Sequence, residues 1–170
     1  VNGLQTKSTG NGIINRELKP LWHGKLSNVS LEQNNYVKTV SLMKNTNKFR
    51  IIMQVLDDKA TIDVNDYDFQ ISSANGTYNH NNELQGDEIE DKIDYKPYHT
   101  KNDTETGALA ELNTLRLMSD KNNRLVISHK KTGNIILDIP LNKYLNALKL
   151  EQYADIPLQE YMDREDQYGI

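Results

Sequence analysis

The chain has no cysteine. That excludes disulfides, a thiol nucleophile, a cysteine-type zinc site and a thiol-linked lipid on this chain. It has no basic excess either. Lys and Arg number 20 against 24 Asp and Glu, a formal net charge of −4. A broad basic footprint for nucleic acid or an anionic membrane is therefore excluded. No apolar run is long enough to span a bilayer. The opening Val1-Asn2-Gly3-Leu4-Gln5 lacks the basic region and apolar run of a signal peptide. Phe and Trp are scarce, with two and one against nine Tyr. The aromatic surface is thus amphipathic.

What is present suits a small β domain. The 170 residues suffice for one domain, or one domain with a fragment of another. Leu, Ile, Val and Phe supply about a quarter of the chain, above the level of disordered sequences. Residues 1–20 are polar, without periodicity, and read as a tail or linker. Residues 21–26 read as a short strand, with another through Leu31, before the Gln33-Asn34-Asn35 break. Residues 36–44 read as a strand of imperfect alternation. Phe49, Ile51, Met53 and Val55 alternate with Lys48, Arg50 and Gln54, with Ile52 the apolar exception. That is the period of a half-buried strand. Tyr67, Phe69 and Ile71 share one face, and Asp68, Gln70 and Ser72 the other. Asn75-Gly76 then marks a turn, because both residues tolerate positive φ.

Residues 79–107 are mostly polar. The island at 93–98 contains Pro97, which predicts an edge strand or an extended loop. Leu109, Leu112, Leu115 and Leu117 fit both periods in part. Residues 125–129 and 135–139 read as strands of a hairpin turning at Lys130-Lys131-Thr132-Gly133. Pro140 then opens a short helix whose stripe is Leu141, Tyr144, Leu145 and Leu148. A second short helix begins at Pro157, with Leu158, Tyr161 and Met162 on one face. Six to eight strands and one or two late helices predict an all-β Greek-key sandwich.

Catalytic signatures are not found. His23, His80, His99 and His129 stand apart, without a second ligand at metal spacing. Asp57, Asp58, Asp63, Asp66 and Asp68 cluster, but Tyr67 and Asp68 fall where a calcium loop needs a ligand and a glycine. They read as solvated loop carboxylates. No Gly-rich phosphate loop and no G-x-S-x-G elbow occurs. No catalytic, cofactor-binding or metal-binding residue is assigned, and no cofactor is expected.

Several runs carry a resemblance when taken in order. They are Asn45-Thr46-Asn47-Lys48-Phe49-Arg50-Ile51, then Tyr67-Asp68-Phe69-Gln70-Ile71 with Asn75-Gly76-Thr77-Tyr78-Asn79, then Ile93-Asp94-Tyr95-Lys96-Pro97-Tyr98. Glu111-Leu112-Asn113-Thr114-Leu115-Arg116-Leu117-Met118 and Ile139-Pro140-Leu141-Asn142-Lys143-Tyr144-Leu145 follow. The last is Gln159-Glu160-Tyr161-Met162-Asp163-Arg164-Glu165-Asp166-Gln167-Tyr168. In this order, over residues 36–168, the chain resembles the fimbrillin-A-associated anchor and accessory proteins of Bacteroidales fimbriae (type V pili). The resemblance implies a signal-bearing, secreted lipoprotein of two transthyretin-like β-sandwich domains that anchors or regulates a surface fimbria. It also tips residues 109–118 towards strand. Two departures stand out: the lipid-bearing Cys is absent, and the final strands rich in Phe and Trp do not follow within the chain.

The expectations are these. The fold is mainly all-β, a transthyretin-like Greek-key sandwich with one or two short C-terminal helices. Residues 1–33 are a tail, a linker or the end of a preceding domain. Residues 34–170 are the sandwich, with the lack of a final strand one expectation. The function is non-enzymatic: a structural subunit or anchor of a cell-surface, outer-membrane fimbria, joined to fimbrial subunits by β-strand addition. Phe49, Ile51, Met53, Val55, Tyr67, Phe69, Ile71, Leu125, Ile127, Leu137 and Ile139 are expected to line its core or acceptor groove. Contact with a membrane would run only through a lipid anchor outside this chain, and nucleic acid is not a partner. The alternative is a tip adhesin module binding host protein or carbohydrate, with Tyr78, Tyr95 and Tyr98 stacking on sugars.

Overall fold

The computed structural model describes residues 4–5, 12–27, 37–57, 60–85 and 91–170. The expectations at Leu31, Gln33-Asn34-Asn35, Tyr36 and Asp58 lie outside the described residues. Among the described residues thirteen strands run in chain order. β1 (Leu4–Gln5), β2 (Ile13–Ile14), β3 (Trp22–His23) and β4 (Met43–Lys44) are two residues each. β5 (Thr46–Gln54), β6 (Tyr67–Ala74), β7 (Thr77–Tyr78), β8 (Lys92–Tyr95) and β9 (His99–Thr104) follow. β10 (Gly107–Leu115), β11 (Arg124–His129), β12 (Ile135–Pro140), α1 (Leu141–Ala147), α2 (Leu158–Arg164) and β13 (Gln167–Gly169) complete the chain.

Two sheets face each other as a mainly β sandwich. One has the order β13-β5-β10-β9, the other β12-β11-β6-β8-β2. Alternation decides which side chains lie between them. From β5 the core takes Phe49 and Ile51, from β6 Phe69 and Ile71, from β11 Leu125 and Ile127. Ala108, Ala110 and Leu112 of β10 join them. Burying each large apolar side chain contributes about 1.5–3 kcal/mol. The chain crosses between the sheets from β5 to β6, from β8 to β9 and from β10 to β11.

β10 explains why its sequence fits two periods. It is the interior strand between β5 and β9, and eight of its nine residues are buried. A strand buried on both faces loses the polar half of its alternation. Leu117 lies beyond the strand and is buried as well.

Several elements differ from the sequence reading. Nine strands fill the two main sheets among the described residues, more than six to eight. β8 is interior, paired with β6 and with β2. It escapes the proline restriction because it stops at Tyr95, so Pro97 has no ladder bond to make. Residues 37–42 are not a strand; pairing is confined to Met43–Lys44, opposite Trp22–His23. Ile13 and Ile14, inside the stretch read as tail, run parallel to Asp94 and Tyr95 as an edge of the five-stranded sheet.

The helices follow their stripes with one exception. Leu141 and Leu145 are fully buried, while Leu148 is exposed. α1 ends at Ala147 and Leu148 is its C-cap, so the fourth member of the stripe falls where the path leaves the core. The α1 N-terminus has no side-chain cap; the Leu141 N–H instead donates to the Asn123 carbonyl at 2.8 Å. Gly133 turns the β11–β12 hairpin at φ +70°, a conformation that costs glycine no steric penalty.

Candidate functional site

The eleven predicted residues fall into two groups. Phe49, Ile51, Phe69, Ile71, Leu125 and Ile127 are buried in the core cluster. Met53, Val55, Tyr67, Leu137 and Ile139 are partly buried and pack against it. Of the second group, Leu137 and Ile139 lie on the edge strand β12, where a strand-binding surface would form, while Met53 and Tyr67 lie on the interior strands β5 and β6.

The margins differ in how they are protected. β2 and β13 are edges of two and three residues. β9 is six residues long and fully exposed, with the sequence His-Thr-Lys-Asn-Asp-Thr. Its Lys101 and Asp103 form an ion pair at 2.9 Å, and its Asn102 carboxamide accepts the Val64 N–H at 2.8 Å. Charge and a leaning turn are ways natural sheets blunt an edge.

β12 carries less charge, and its protecting devices are a bulge and the terminal Pro140. It pairs with β11 along one side, and no described strand pairs along the other. Ser128 stands opposite Ile135 and Ile127 opposite Leu137, so Ile136 is the extra residue of a bulge. Ile135 and Ile136 are 63% and 54% exposed. Leu137 and Ile139 reach inward beside them. Its one charge, Asp138, is bound by Arg124 Nε at 2.9 Å. Sequence reasoning chose Leu137 and Ile139 and passed over Ile135 and Ile136. The signal was the Ile-Ile doublet, which breaks period two where the bulge lies.

The chemistry-bearing residues are dispersed. Asp63 accepts the Asn65 N–H, Asp66 pairs with Lys131 at 2.8 Å, and Asp68 faces Lys96 at 3.4 Å. The short bond to Lys131 holds the exposed Asp66 carboxyl below its ordinary value. His23 meets the His80 carbonyl, His99 meets Glu111, and His129 is edge-on to Tyr67. Among the described residues no group of three His, Cys, Asp or Glu could hold a metal ion, and no helix is long and apolar enough to cross a membrane.

Of the three tyrosines expected to stack on sugars, none is fully exposed. Tyr78 and Tyr95 are buried and Tyr98 is half-buried. Tyr78 Oη donates to the Arg116 carbonyl and Tyr95 Oη to Asn75 Oδ1, at 2.5 and 2.6 Å. Polar tips satisfied inside remove the need for a wet surface. Burial pushes both phenols well above their ordinary pKa. They belong to a buried polar network that sequence reasoning missed. Asn45 and Asn82 exchange amide hydrogen bonds, and Ser73 donates to Asn123. Arg116 Nε and Nη2 bind the two Asp163 oxygens at 2.7 Å each. Burial works against the Arg116 charge, and the Asp163 carboxylate outweighs it, so its pKa lies above the ordinary value.

Solved structures share this fold. A solved Bacteroides thetaiotaomicron protein, named as a candidate polysaccharide-binding protein, is 32% identical with a TM-score of 0.84. The match covers 97% of this chain and 57% of that one. A candidate adhesin from the same organism is 31% identical with a TM-score of 0.67, over 78% of this chain and 46% of that one. The fimbrial anchor protein Mfa2 of Porphyromonas gingivalis, 21% identical, shares the fold at a TM-score of 0.70 over 97% of this chain and 55% of that one. The chain thus spans little more than half the length of these relatives. No curated protein sequence matches it. The family model of the fimbrillin-A associated anchor proteins Mfa1 and Mfa2 matches residues 3–170. The chain belongs to the family of fimbrillin-A associated anchor proteins.

Proposed function

We propose that this chain is a structural, non-enzymatic part of a cell-surface fimbria that joins a neighbouring fimbrial subunit by β-strand addition at β12. The observation that carries the proposal is the contrast between the two long edges. β9 is polar, charged and leaned upon. β12 offers a side that no described strand pairs, with Ile135 and Ile136 outward and Leu137 and Ile139 inward. An added strand would complete the ladder, and its alternate side chains would cover these isoleucines. Such a contact uses apolar burial and backbone hydrogen bonds, not perturbed titrating groups. Attachment to the outer membrane, in this reading, runs through a lipid on chain that lies outside these residues.

The test is hydrogen exchange with a fimbrial subunit of the source organism. Slowed exchange confined to residues 135–139 supports the proposal. The variant carrying Ile135→Lys and Ile136→Lys should keep the fold, since exposed substitutions shift stability by only about 0.5 kcal/mol, and lose that protection. Subunit binding with unchanged exchange at β12 would overturn strand addition at this edge.

A further inference from the structure

The β3–β4 ribbon has two unlike faces. Trp22 and Lys44 are partners across it, as are His23 and Met43. Trp22, Gly24, Val40 and Leu42 belong to the outer face: a Cβ on Gly24 would meet Leu42 Cδ2 at 2.7 Å and Val40 Cγ1 at 2.8 Å. The inner face presents His23, Lys25 and Ser41 to a cleft of about 370 Å³ whose far wall is Asn81, Asn82 and Arg116. Among the described residues this cleft is lined by His23, Lys25 and Arg116 and by no carboxylate; Asp163 neutralises Arg116, which leaves the Lys25 ammonium as the charge open to a ligand.

The cleft is built rather than incidental. Asn82 and Arg116 are more than nine-tenths buried. Asn82 has φ +65°, a left-handed conformation that asparagine adopts more readily than most residues with a side chain. It is held there by the amide exchange with Asn45, and Arg116 Nη1 donates to its carbonyl. At the mouth, the Lys25 ammonium bonds the neutral Asn81 amide oxygen and makes no ion pair among the described residues. It carries an uncompensated charge and spare donors.

We infer that this cleft binds a uronate residue of an acidic saccharide. The Lys25 ammonium, with the His23 ring beside it, takes the carboxylate. The Asn81 amide and the Ser41 hydroxyl, each donor and acceptor, take ring hydroxyls. The volume suits one or two sugar rings. The site is separate from the β12 edge and stands whether or not that edge adds a strand.

The experiment is an amide-resolved NMR titration of the chain with trigalacturonate, beside its methyl ester, which differs only in charge. Trigalacturonate should shift the signals of residues 23–25, 41 and 81–82, weaken with added salt, and bind at least about tenfold more tightly than the ester. Lys25→Gln should lose about tenfold in affinity while melting as the parent does. Ser41→Ala should weaken trigalacturonate and ester alike. Equal binding of acid and ester, shifts confined to other residues, or no shifts up to about 10 mM would each overturn the assignment.

Discussion

Arg116 and Asp163 form a two-point ion pair across the end of the sandwich, with both contacts at 2.7 Å. Their side chains are only 10% and 15% exposed. Arg116 follows β10 and Asp163 sits in α2, so the pair ties the late helix to the central strand. Gln159 reinforces it, donating to Asp163 and to the Leu117 carbonyl while accepting the Ser119 N–H. β13 follows α2 directly and lies parallel to β5, with Tyr168 stacked on Phe49 at 4.9 Å. The ion pair therefore positions the edge strand as well as the helix.

Removing one partner leaves a mostly buried charge without its counterion. Asp163→Ala should destabilise the chain by about 3 kcal/mol. The double variant Arg116→Met with Asp163→Leu should cost less, because neither charge then remains buried. Urea unfolding of both variants checks this. A double variant as unstable as the sum of its single changes would show that the pair does not couple.

The core separates neighbours in sequence. Phe69 is buried at 1% exposure while Gln70 faces the outer sheet surface. Phe69→Ala should cost about 3–5 kcal/mol through the cavity it leaves. Gln70→Ala should stay within about 0.5 kcal/mol. Thermal melts showing equal effects would contradict the register of β6.

Elements with one wet face were legible in the sequence, and elements shaped by tertiary contact were not. β5, β6, the β11–β12 hairpin and the paired Leu141–Leu145 stripe show their period because one face meets solvent. β10 concealed its period because both of its faces are covered. Residues 37–42 looked like a strand because Val40 and Leu42 alternate, with Val37 out of step, yet all three are exposed. Ile13 and Ile14 gave too short a signal to distinguish from a tail. At the candidate edge, Leu137 and Ile139 followed from alternation. A bulge exposes Ile135 and Ile136, and bulges depend on the partner strand. The Arg116–Asp163 contact joins positions 47 residues apart, beyond any local pattern.

Alkaline unfolding follows from the buried phenols. Burial raises the pKa of Tyr78, Tyr95 and Tyr168 above the ordinary 10.0. Above pH 10 the unfolded chain releases these protons while the folded chain keeps them. The unfolded state then binds fewer protons, so stability falls as pH rises. The contribution is intact below pH 10 and is lost progressively above it. Melting temperature should be flat from pH 7 to 9 and drop steeply beyond 10. Tyrosinate absorbance should show the buried phenols titrating together with loss of structure. Titration of all nine tyrosines near pH 10 in a chain that stays folded would contradict the buried assignments.

The protected edge offers the converse of the β12 experiment. β9 is as long as β12, and it carries the Lys101–Asp103 ion pair. Their ion pair is exposed and adds little to stability. Replacing both by Val should therefore leave folding nearly unchanged. It should also create a second long edge with apolar side chains and an unpaired backbone, a template for pairing with another copy. Sedimentation should show nothing larger than pairs for the parent chain and concentration-dependent growth beyond pairs for the Lys101→Val, Asp103→Val variant. Adding Ile135→Lys and Ile136→Lys to that variant should limit the assemblies to pairs, since only one edge then remains open. A valine-substituted β9 that grows no larger than pairs at high concentration would mean that charge is not what protects this edge, and would remove the contrast that assigns β12 as the acceptor.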